Sequence, residues 1–413
     1  MLGAGKKDLS LEGLRGLASL TVVIGHFTFV FFPFLGTVFA PAPGAVPRYE
    51  FERWLSYPPF TLAFSAEAAV CVFFVMSGYV LTTKYYLSGA ESEIQAAAAK
   101  RYVRLVLPTF ASIMFAWALW KSGAIISAQA IELGLAGWAP SWYGTPYSFF
   151  GAVWNGLAGS PLFGDPMLNP PTWSIQVEII GSVMLFSLIA LFGKRPLLFL
   201  LWGIFLADFF AYRAAAALFY VGFIAGALLN LAAPWLRARQ GVSAALVLIG
   251  LIGCAFNLSP AFDWLRAIPL PNFQPLGPDL QGSARMFWNT VGAIALVAGV
   301  LGSKPINALL STRPFAFLGR ISFSMYLLHA PILMSVALGT LKYAKAAGLP
   351  HGASILIAFA VYVPTVMLIA TVFFQIVDAP SMRLASLLAK KGTLFARREA
   401  PAAQPAASST RAA

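Results

Sequence analysis

The stretch 11–34, L-E-G-L-R-G-L-A-S-L-T-V-V-I-G-H-F-T-F-V-F-F-P-F, constrains the fold most. It is apolar and long enough to cross a bilayer, and it still contains Glu12, Arg15 and His26. At about 100° per helical residue, all three side chains share one face, and helical rise separates Arg15 from His26 by about 16 Å. Polar residues at such depth are costly unless they face a protein interior or a wet cavity, so this stripe is a candidate functional site. Alternatively, Arg15 marks the cytoplasmic end of the helix and His26 hydrogen-bonds to a neighbouring helix.

The composition predicts a membrane protein. Of the 413 residues, 59% are hydrophobic and 10% are charged, and the mean hydropathy is +0.77, which leaves too little polar surface for a soluble globule. The apolar stretches have the length of membrane helices rather than the short alternation of barrel strands. We therefore expect an all-α fold, a polytopic integral membrane helical bundle. Hydropathy predicts about ten crossings, near 13–34, 60–83, 105–121, 174–192, 197–212, 214–232, 243–258, 286–302, 321–341 and 353–377.

The net charge of +13 is explained by topology. If the N-terminus is cytoplasmic, the inner segments contain 20 of the 28 Lys and Arg residues and the outer segments contain 8. This asymmetry satisfies the positive-inside rule and predicts both termini in the cytoplasm, with the protein in the plasma (inner) membrane and surrounded by lipid. No basic module interleaved with aromatic residues is present, so no nucleic-acid partner is expected.

The cysteines and histidines predict neither a disulfide framework nor a metal site. Cys71 and Cys254 both lie in apolar stretches, and the three histidines lack a ligand-spaced pair. The first apolar stretch is too long for a signal peptide, so it is expected to remain in the protein. We predict a cytoplasmic N-terminus over 1–10, a transmembrane domain over 11–380 and a disordered cytoplasmic tail over 381–413, without an appended soluble domain.

A second polar element precedes the third predicted crossing. In K-R-Y-V-R-L-V-L-P, Arg101 and Arg104 stand at i and i+3 and point the same way. Two guanidiniums near a helix N-terminus favour phosphate binding, because each offers bidentate donors and the helix dipole adds to their charge. The alternative is an anchor beside anionic lipid headgroups.

A third element, N-P-P-T-W-S-I-Q-V-E-I-I-G-S, places Trp173 at the membrane interface and Glu178 inside the fourth crossing. An ionised glutamate facing lipid is costly, so Glu178 is expected to face the bundle. We expect it at the depth of His26, where a carboxylate would fix the imidazole tautomer and stabilise the imidazolium. A purely structural buried glutamate is the alternative.

Two further elements contain candidate supporting residues. Ser77 in F-F-V-M-S-G-Y lacks a surrounding G-x-S-x-G, which disfavours a hydrolase nucleophile, and its Gly78 neighbour is typical of close helix packing. In M-Y-L-L-H-A-P, Tyr326 and His329 are spaced i, i+3, and His329 is predicted in the inner half of the membrane.

These elements together resemble the acyltransferase-3 family of integral-membrane O-acyltransferases. The resemblance spans about residues 10–380 and rests on five patterns in order: R-x10-H at 15–26, F-F-x-x-S-G at 73–78, R-x-x-R at 101–104, W-S-x-x-x-E at 173–178 and Y-x-x-H-x-P at 326–331. Cys71 stands where many members have an acid, and Asp378 stands where the family often has a glutamate. This chain therefore resembles a divergent branch.

The resemblance implies transfer of an acyl group, most simply acetyl, from acyl-CoA to a hydroxyl of a sugar or lipid-linked glycan. It implies that Arg15, Arg101 and Arg104 hold the coenzyme A phosphates and that His26 is the general base, oriented by Glu178. Transfer through an intermediate with the acyl group bound to His26 is an alternative to direct transfer. Acyl-CoA is a substrate rather than a bound cofactor. The candidate supporting residues are Glu12, Ser77, Trp173, Tyr326 and His329, of which His329 would contact the pantetheine arm or bridge helices. The alternative function is a transporter that uses the polar stripe as a solute or proton path.

Overall fold

The structure, a computed structural model, describes residues 8–39, 45–210, 214–270 and 280–398. Within these ranges the regular elements are helices, and no strand occurs among them, which confirms the all-α prediction. The long helices are α1 (Leu9–Phe31), α2 (Ala66–Ser88), α3 (Glu91–Lys121), α4 (Trp173–Phe192), α5 (Pro196–Phe210), α6 (Ala214–Ala238), α7 (Gln240–Cys254), α8 (Leu280–Gly302), α9 (Arg313–Ile332), α10 (His351–Phe373) and α11 (Ala379–Arg398).

Shorter helical segments connect the long helices. They include Glu50–Leu55, Phe60–Phe64, Phe149–Trp154, Pro170–Thr172 and Lys304–Leu310, and π-helical turns occur at Asn155–Gly159, Leu333–Ala337 and Phe374–Asp378. The π turn at Leu333–Ala337 continues α9 into Leu338–Ala346.

Eight helical stretches in the described part of the chain are long and apolar enough to cross a membrane. They start at Leu9, Ala66, Glu91, Pro170, Ala217, Ala284, Arg313 and His351. Two shorter apolar helices, Pro196–Phe209 and Gln240–Cys254, are below the length of a full span. The protein is therefore an integral membrane helical bundle with eight candidate spans.

Close packing of α1 against α9 positions the polar stripe. A Cβ atom added at Gly16 would lie 2.5 Å from the backbone nitrogen of Gly319, and one added at Gly319 would collide with the carbonyl of Glu12. Without these glycines the two helices could not approach so closely. Asp8 begins α1 by accepting hydrogen bonds from the backbone N–H groups of Ser10 and Leu11. The polar face of α1 is thereby aligned along α9.

The chain that precedes α4 enters the bundle before the helix begins. The Asn169 amide donates to the carbonyl of Leu327 at 2.8 Å and to Ser112 Oγ at 3.1 Å, and Asn169 is fully buried. Pro170 and Pro171 then lead directly into α4. As a result, α4 begins in the middle of the bundle, beside Ser112 of α3 and Leu327 of α9.

The predicted tail differs from expectation over its first part. Residues 379–398 form α11, which packs along α3 with Ala385 and Ala389 buried. The helical spacing of these small apolar residues gives α11 a face that α3 can cover. Residues 381–398 of the predicted tail are therefore helical, and 399–413 lie outside the described residues.

Candidate active site

A cavity opens between α1, α2, α3, α4 and α9 and encloses about 180 Å³. Its floor and walls combine apolar side chains with four arginines and three carboxylates. The charged lining residues are Glu12, Arg15, Arg101, Arg104, Glu178, Arg320 and Asp378. The structure therefore brings together in one cavity the three arginines that the sequence singles out.

An ion pair between Arg101 and Glu178 connects α3 to α4 in this cavity. The two side chains are only 13% and 14% exposed. Arg101 Nη2 donates to Glu178 Oε2, its Nε donates to Ser182 Oγ at 2.7 Å, and Ser77 Oγ donates to Glu178 Oε1 at 2.7 Å. Each buried charge thus has an opposite charge and a further hydrogen-bond partner.

This ion pair contradicts the predicted pairing of Glu178 with His26. Because α4 begins in the middle of the bundle, Glu178 lies beside Arg101, toward the end where α1 starts, whereas His26 lies toward the end where α1 finishes. Ser77 orients the Glu178 carboxylate. Trp173, predicted at the membrane interface, is half-buried, and its ring centroid lies 5.5 Å from that of Phe219.

Arg15 is fixed between its own helix and α9. Its Nε donates to Ser322 Oγ at 3.1 Å, and its Nη2 lies 3.7 Å from Glu12 Oε1. Arg104, one turn after Arg101 on α3, is close enough to both Arg15 and Arg101 to interact with them electrostatically. Three positive charges therefore converge from two helices.

Two histidines face each other where α1 and α9 pass. His26 Nδ1 lies 3.2 Å from His329 Nε2, and the ring centroids are 4.8 Å apart. His26 Nδ1 also lies 3.0 Å from the carbonyl of Val22, and His329 Nδ1 lies 2.7 Å from the carbonyl of Tyr326. His329 was predicted in the inner half of the membrane, where it would contact the pantetheine arm or bridge helices. In the structure it lies at the level of His26 and bridges α9 to α1.

These contacts fix the tautomer of each neutral ring. A carbonyl oxygen only accepts, so His329 Nδ1 carries the hydrogen and His329 Nε2 is an acceptor. His26 Nδ1 then faces two acceptors, the Val22 carbonyl and His329 Nε2, so it carries the hydrogen of that ring. The lone pair of His26 is consequently on Nε2, where it can accept a proton from another molecule. His329, which is fully buried, thus makes the contact with His26 that the sequence analysis predicted for Glu178.

Tyr326 separates the arginine cavity from the histidine pair. Its hydroxyl lies 2.8 Å from Ser174 Oγ and 3.1 Å from the carbonyl of Pro171, and its ring lies edge-on to Phe73. Tyr326 lines the cavity, and its own carbonyl accepts from His329. The cavity thus ends one helical turn below the histidines, since the rise from residue 326 to residue 329 along α9 is about 4.5 Å.

Three residues of the site were not identified as candidates from the sequence. Arg320 and Asp378 line the cavity, and Trp142 packs on His26 with a centroid distance of 5.6 Å. Arg320 resembles any basic residue at the inner end of a helix. Trp142 comes from the long loop between α3 and α4, which has no periodic pattern that would reveal its position.

An acid, Glu67, lies one helical turn before Cys71 on α2. Glu67 forms a two-pronged ion pair with Arg285, with Nη2 2.6 Å from Oε2, and also accepts from Asn289 at 3.2 Å. Cys71 is buried, and its Sγ lies 3.6 Å from Thr290 Oγ1. Among the described residues, no group of three His, Cys, Asp or Glu side chains is placed to hold a metal ion.

Comparison with known proteins supports the chemistry suggested by this geometry. The chain is 23% identical to acyltransferase R4 of Phoma sp. (strain ATCC 20986 / MF5453), over 90% of this chain and 93% of that protein. It is 26% identical to O-acetyltransferase PaAT-1 of Phomopsis amygdali, over 78% of this chain and 71% of that protein. It is 24% identical to acyltransferase clz18 of Cochliobolus lunatus, over 79% of this chain and 82% of that protein. No solved structure matches the chain significantly.

The family assignment follows from a match to a whole domain. The sequence profile of the acyltransferase domain matches residues 8–374, which include the four arginines of the cavity and both histidines. The chain is therefore an O-acyltransferase enzyme of the membrane, and it belongs to the acyltransferase-3 family.

Proposed function

We propose that this enzyme takes an acyl group, most simply acetyl, from acyl-CoA and transfers it to a hydroxyl of a sugar or lipid-linked glycan, with His26 as general base. The observation that carries the proposal is the His26–His329 contact of 3.2 Å, which leaves His26 Nε2 as a free acceptor. The O-acetyltransferase name of one relative supports acetyl as the group transferred.

In the proposed reaction, His26 Nε2 removes the proton of the acceptor hydroxyl as its oxygen attacks the thioester carbonyl. The carbon–sulfur bond breaks, and the His26 imidazolium returns the proton to the departing thiolate. The products are an ester and free coenzyme A, so atoms and charges balance without another reactant. His329 Nε2 accepts from His26 Nδ1–H throughout, which holds the ring and favours its protonated form.

The donor reaches His26 from the arginine cavity. Arg15, Arg101 and Arg104 surround this cavity, and guanidiniums bind phosphates well. The uncharged pantetheine arm passes Tyr326 to carry the thioester over the remaining rise of about 4.5 Å. The Tyr326 hydroxyl must give up its contact with Ser174 or rotate aside for this passage. Acyl-CoA acts here as a substrate and is released as coenzyme A.

The acceptor approaches His26 from the opposite end of the bundle. His26 is only half-buried, and the Trp142 ring beside it offers a face on which the C–H groups of a sugar ring can pack. In this topology the two shorter helices α5 and α7 also cross, which gives ten crossings with both termini in the cytoplasm. The 20-to-8 asymmetry of Lys and Arg supports this orientation in the plasma membrane.

The test is acceptor-dependent release of coenzyme A thiol from acetyl-CoA by the purified protein in nanodiscs, with a panel of glycan acceptors. We expect His26→Ala to abolish the release while the protein stays folded. His351→Ala is the matched control, because His351 contacts Arg48 at the start of α10 rather than the histidine pair, and it should retain the rate. Full activity of His26→Ala would contradict the proposal. Loss of solute flux in liposomes without thioester consumption would favour the transporter alternative.

A further inference from the structure

We propose that Arg104 and Arg320 bind the phosphates of the donor, and that Arg15 and Arg101 neutralise buried carboxylates instead. This inference rests on the proposed function and assigns a phosphate site to one edge of the cavity. It also adds Arg320, which no sequence pattern selected, and it changes the role predicted for the other two arginines.

Two of the lining arginines, Arg101 and Arg15, already lie beside carboxylates. Arg101 is bound to Glu178, and Arg15 lies 3.7 Å from Glu12. Asp378, which is 5% exposed, and Glu178 are also close enough to interact electrostatically with Arg15. Both guanidiniums therefore already have carboxylates as neighbours. A phosphate placed there would compete with these carboxylates for the same donors.

The two remaining arginines of the lining are different. Arg104 and Arg320 are exposed, and neither side chain makes an ion pair or a hydrogen bond within the part of the chain that the structure describes. They come from different helices, α3 and α9, and contribute to the same cavity. Their donors are therefore free to bind an anion at the rim, where the ligand keeps much of its hydration.

This division of charge orients the donor. The phosphates of coenzyme A are held at the exposed rim, because Arg15 and Arg101 already have carboxylates as neighbours. The uncharged pantetheine arm can enter the apolar part of the cavity, where Phe73 and Phe74 are among the lining residues. The thioester then leads toward Tyr326 and the histidines.

The same pair of arginines would also suit the phosphate of a lipid headgroup. The shared chemistry is a phosphate held by two guanidiniums, and we favour the donor because both side chains line the cavity itself. Nanodiscs of neutral phosphatidylcholine, compared with nanodiscs that contain an anionic lipid, distinguish the two sources.

The experiment compares two donors, acetyl-CoA and acetyl-pantetheine, which carries the same thioester but no phosphate. Arg320→Gln and Arg104→Gln are compared with Arg313→Gln, a control that removes an exposed arginine of α9 outside the cavity lining. We expect each cavity variant to raise the KM for acetyl-CoA about tenfold, as the loss of one charge-assisted contact implies, with kcat unchanged. The KM for acetyl-pantetheine should stay at the wild-type value, and the control should match the wild type with both donors.

Three results would overturn the inference. They are an unchanged KM for acetyl-CoA in Arg320→Gln, an equal loss with acetyl-pantetheine, and an effect that appears only in nanodiscs with anionic lipid. Equal use of both donors by the wild-type protein would contradict the phosphate site and would not contradict acyl transfer. A wild-type protein that consumes neither donor would contradict the proposed function itself, so the two failures are distinguishable.

Discussion

The ion pair between Arg101 and Glu178 permits a test of which residue Glu178 serves. Arg101→Gln leaves a carboxylate that is 14% exposed without its cation, and Glu178→Gln leaves a guanidinium that is 13% exposed without its anion. Removing one partner of a buried pair costs about 3–5 kcal/mol of unfolding free energy, because the other charge stays buried and unpaired. Replacing both partners removes both charges, and two glutamine amides can hydrogen-bond across the same gap.

We therefore expect Arg101→Gln/Glu178→Gln to be more stable than either single variant. The coupling free energy is the difference between the double variant and the sum of the singles, and it should be on the order of 3 kcal/mol. Ser77→Ala is a reference variant, because it removes only one hydrogen bond to Glu178. It should lower the unfolding free energy by about 1 kcal/mol. Denaturant titration in detergent micelles gives the unfolding free energies.

Thiol release measured on the same variants separates the two possible roles of Glu178. If Glu178 oriented His26, its replacement would lower kcat strongly, and Arg101→Gln would not rescue it. A double variant destabilised by the full sum of the single effects would refute the interpretation of a compensated pair. The same interpretation would be refuted if the coupling in kcat between Glu178 and His26 exceeded the coupling between His329 and His26.

Two further predictions concern packing and a distant ion pair. Gly16→Ala should force α1 away from α9 by about 1 Å, because the added Cβ would lie 2.5 Å from its nearest atom, and kcat should fall on the order of 100-fold. Gly253→Ala is the control, because its Cβ would lie 2.6 Å from Gly292 Cα, between α7 and α8. It should lower the unfolding free energy and leave kcat unchanged. A loss of kcat as large as that of Gly16→Ala would contradict the prediction. Glu67→Gln should leave Arg285 without its carboxylate partner and lower the unfolding free energy by about 3 kcal/mol in the same denaturant titration. The KM for acetyl-CoA should stay unchanged. A raised KM would place this ion pair in the donor site.

Together these variants test three separate features of the bundle. The exposed arginines set donor affinity, the buried ion pair sets stability, and the contact between α1 and α9 sets the geometry of the histidines. In each case, the expected change falls on a different measured quantity, so a single set of purified variants can test all three.

The apolar segments and the polar stripe were predictable from the sequence, since hydropathy and helical periodicity are local properties of the chain. Glu12, Arg15 and His26 lie on α1 as expected, and Arg101 and Arg104 line the cavity with Arg15. Glycine spacing also indicated close helix packing, and Gly78 does lie against the backbone of α6. What the sequence determined by itself was the class of fold and the residues that had to face inward.

The partners of those residues depended on the tertiary structure. The depth of Glu178 follows from the entry of Asn169 and the following prolines into the bundle, which a hydropathy pattern does not record. The pairing of His26 with His329 depends on the crossing of two helices 303 residues apart in the chain, and that crossing requires Gly16 and Gly319 to meet. Side chains face inward because of local periodicity, but the side chain that each one meets is decided by the order, depth and separation of the packed helices.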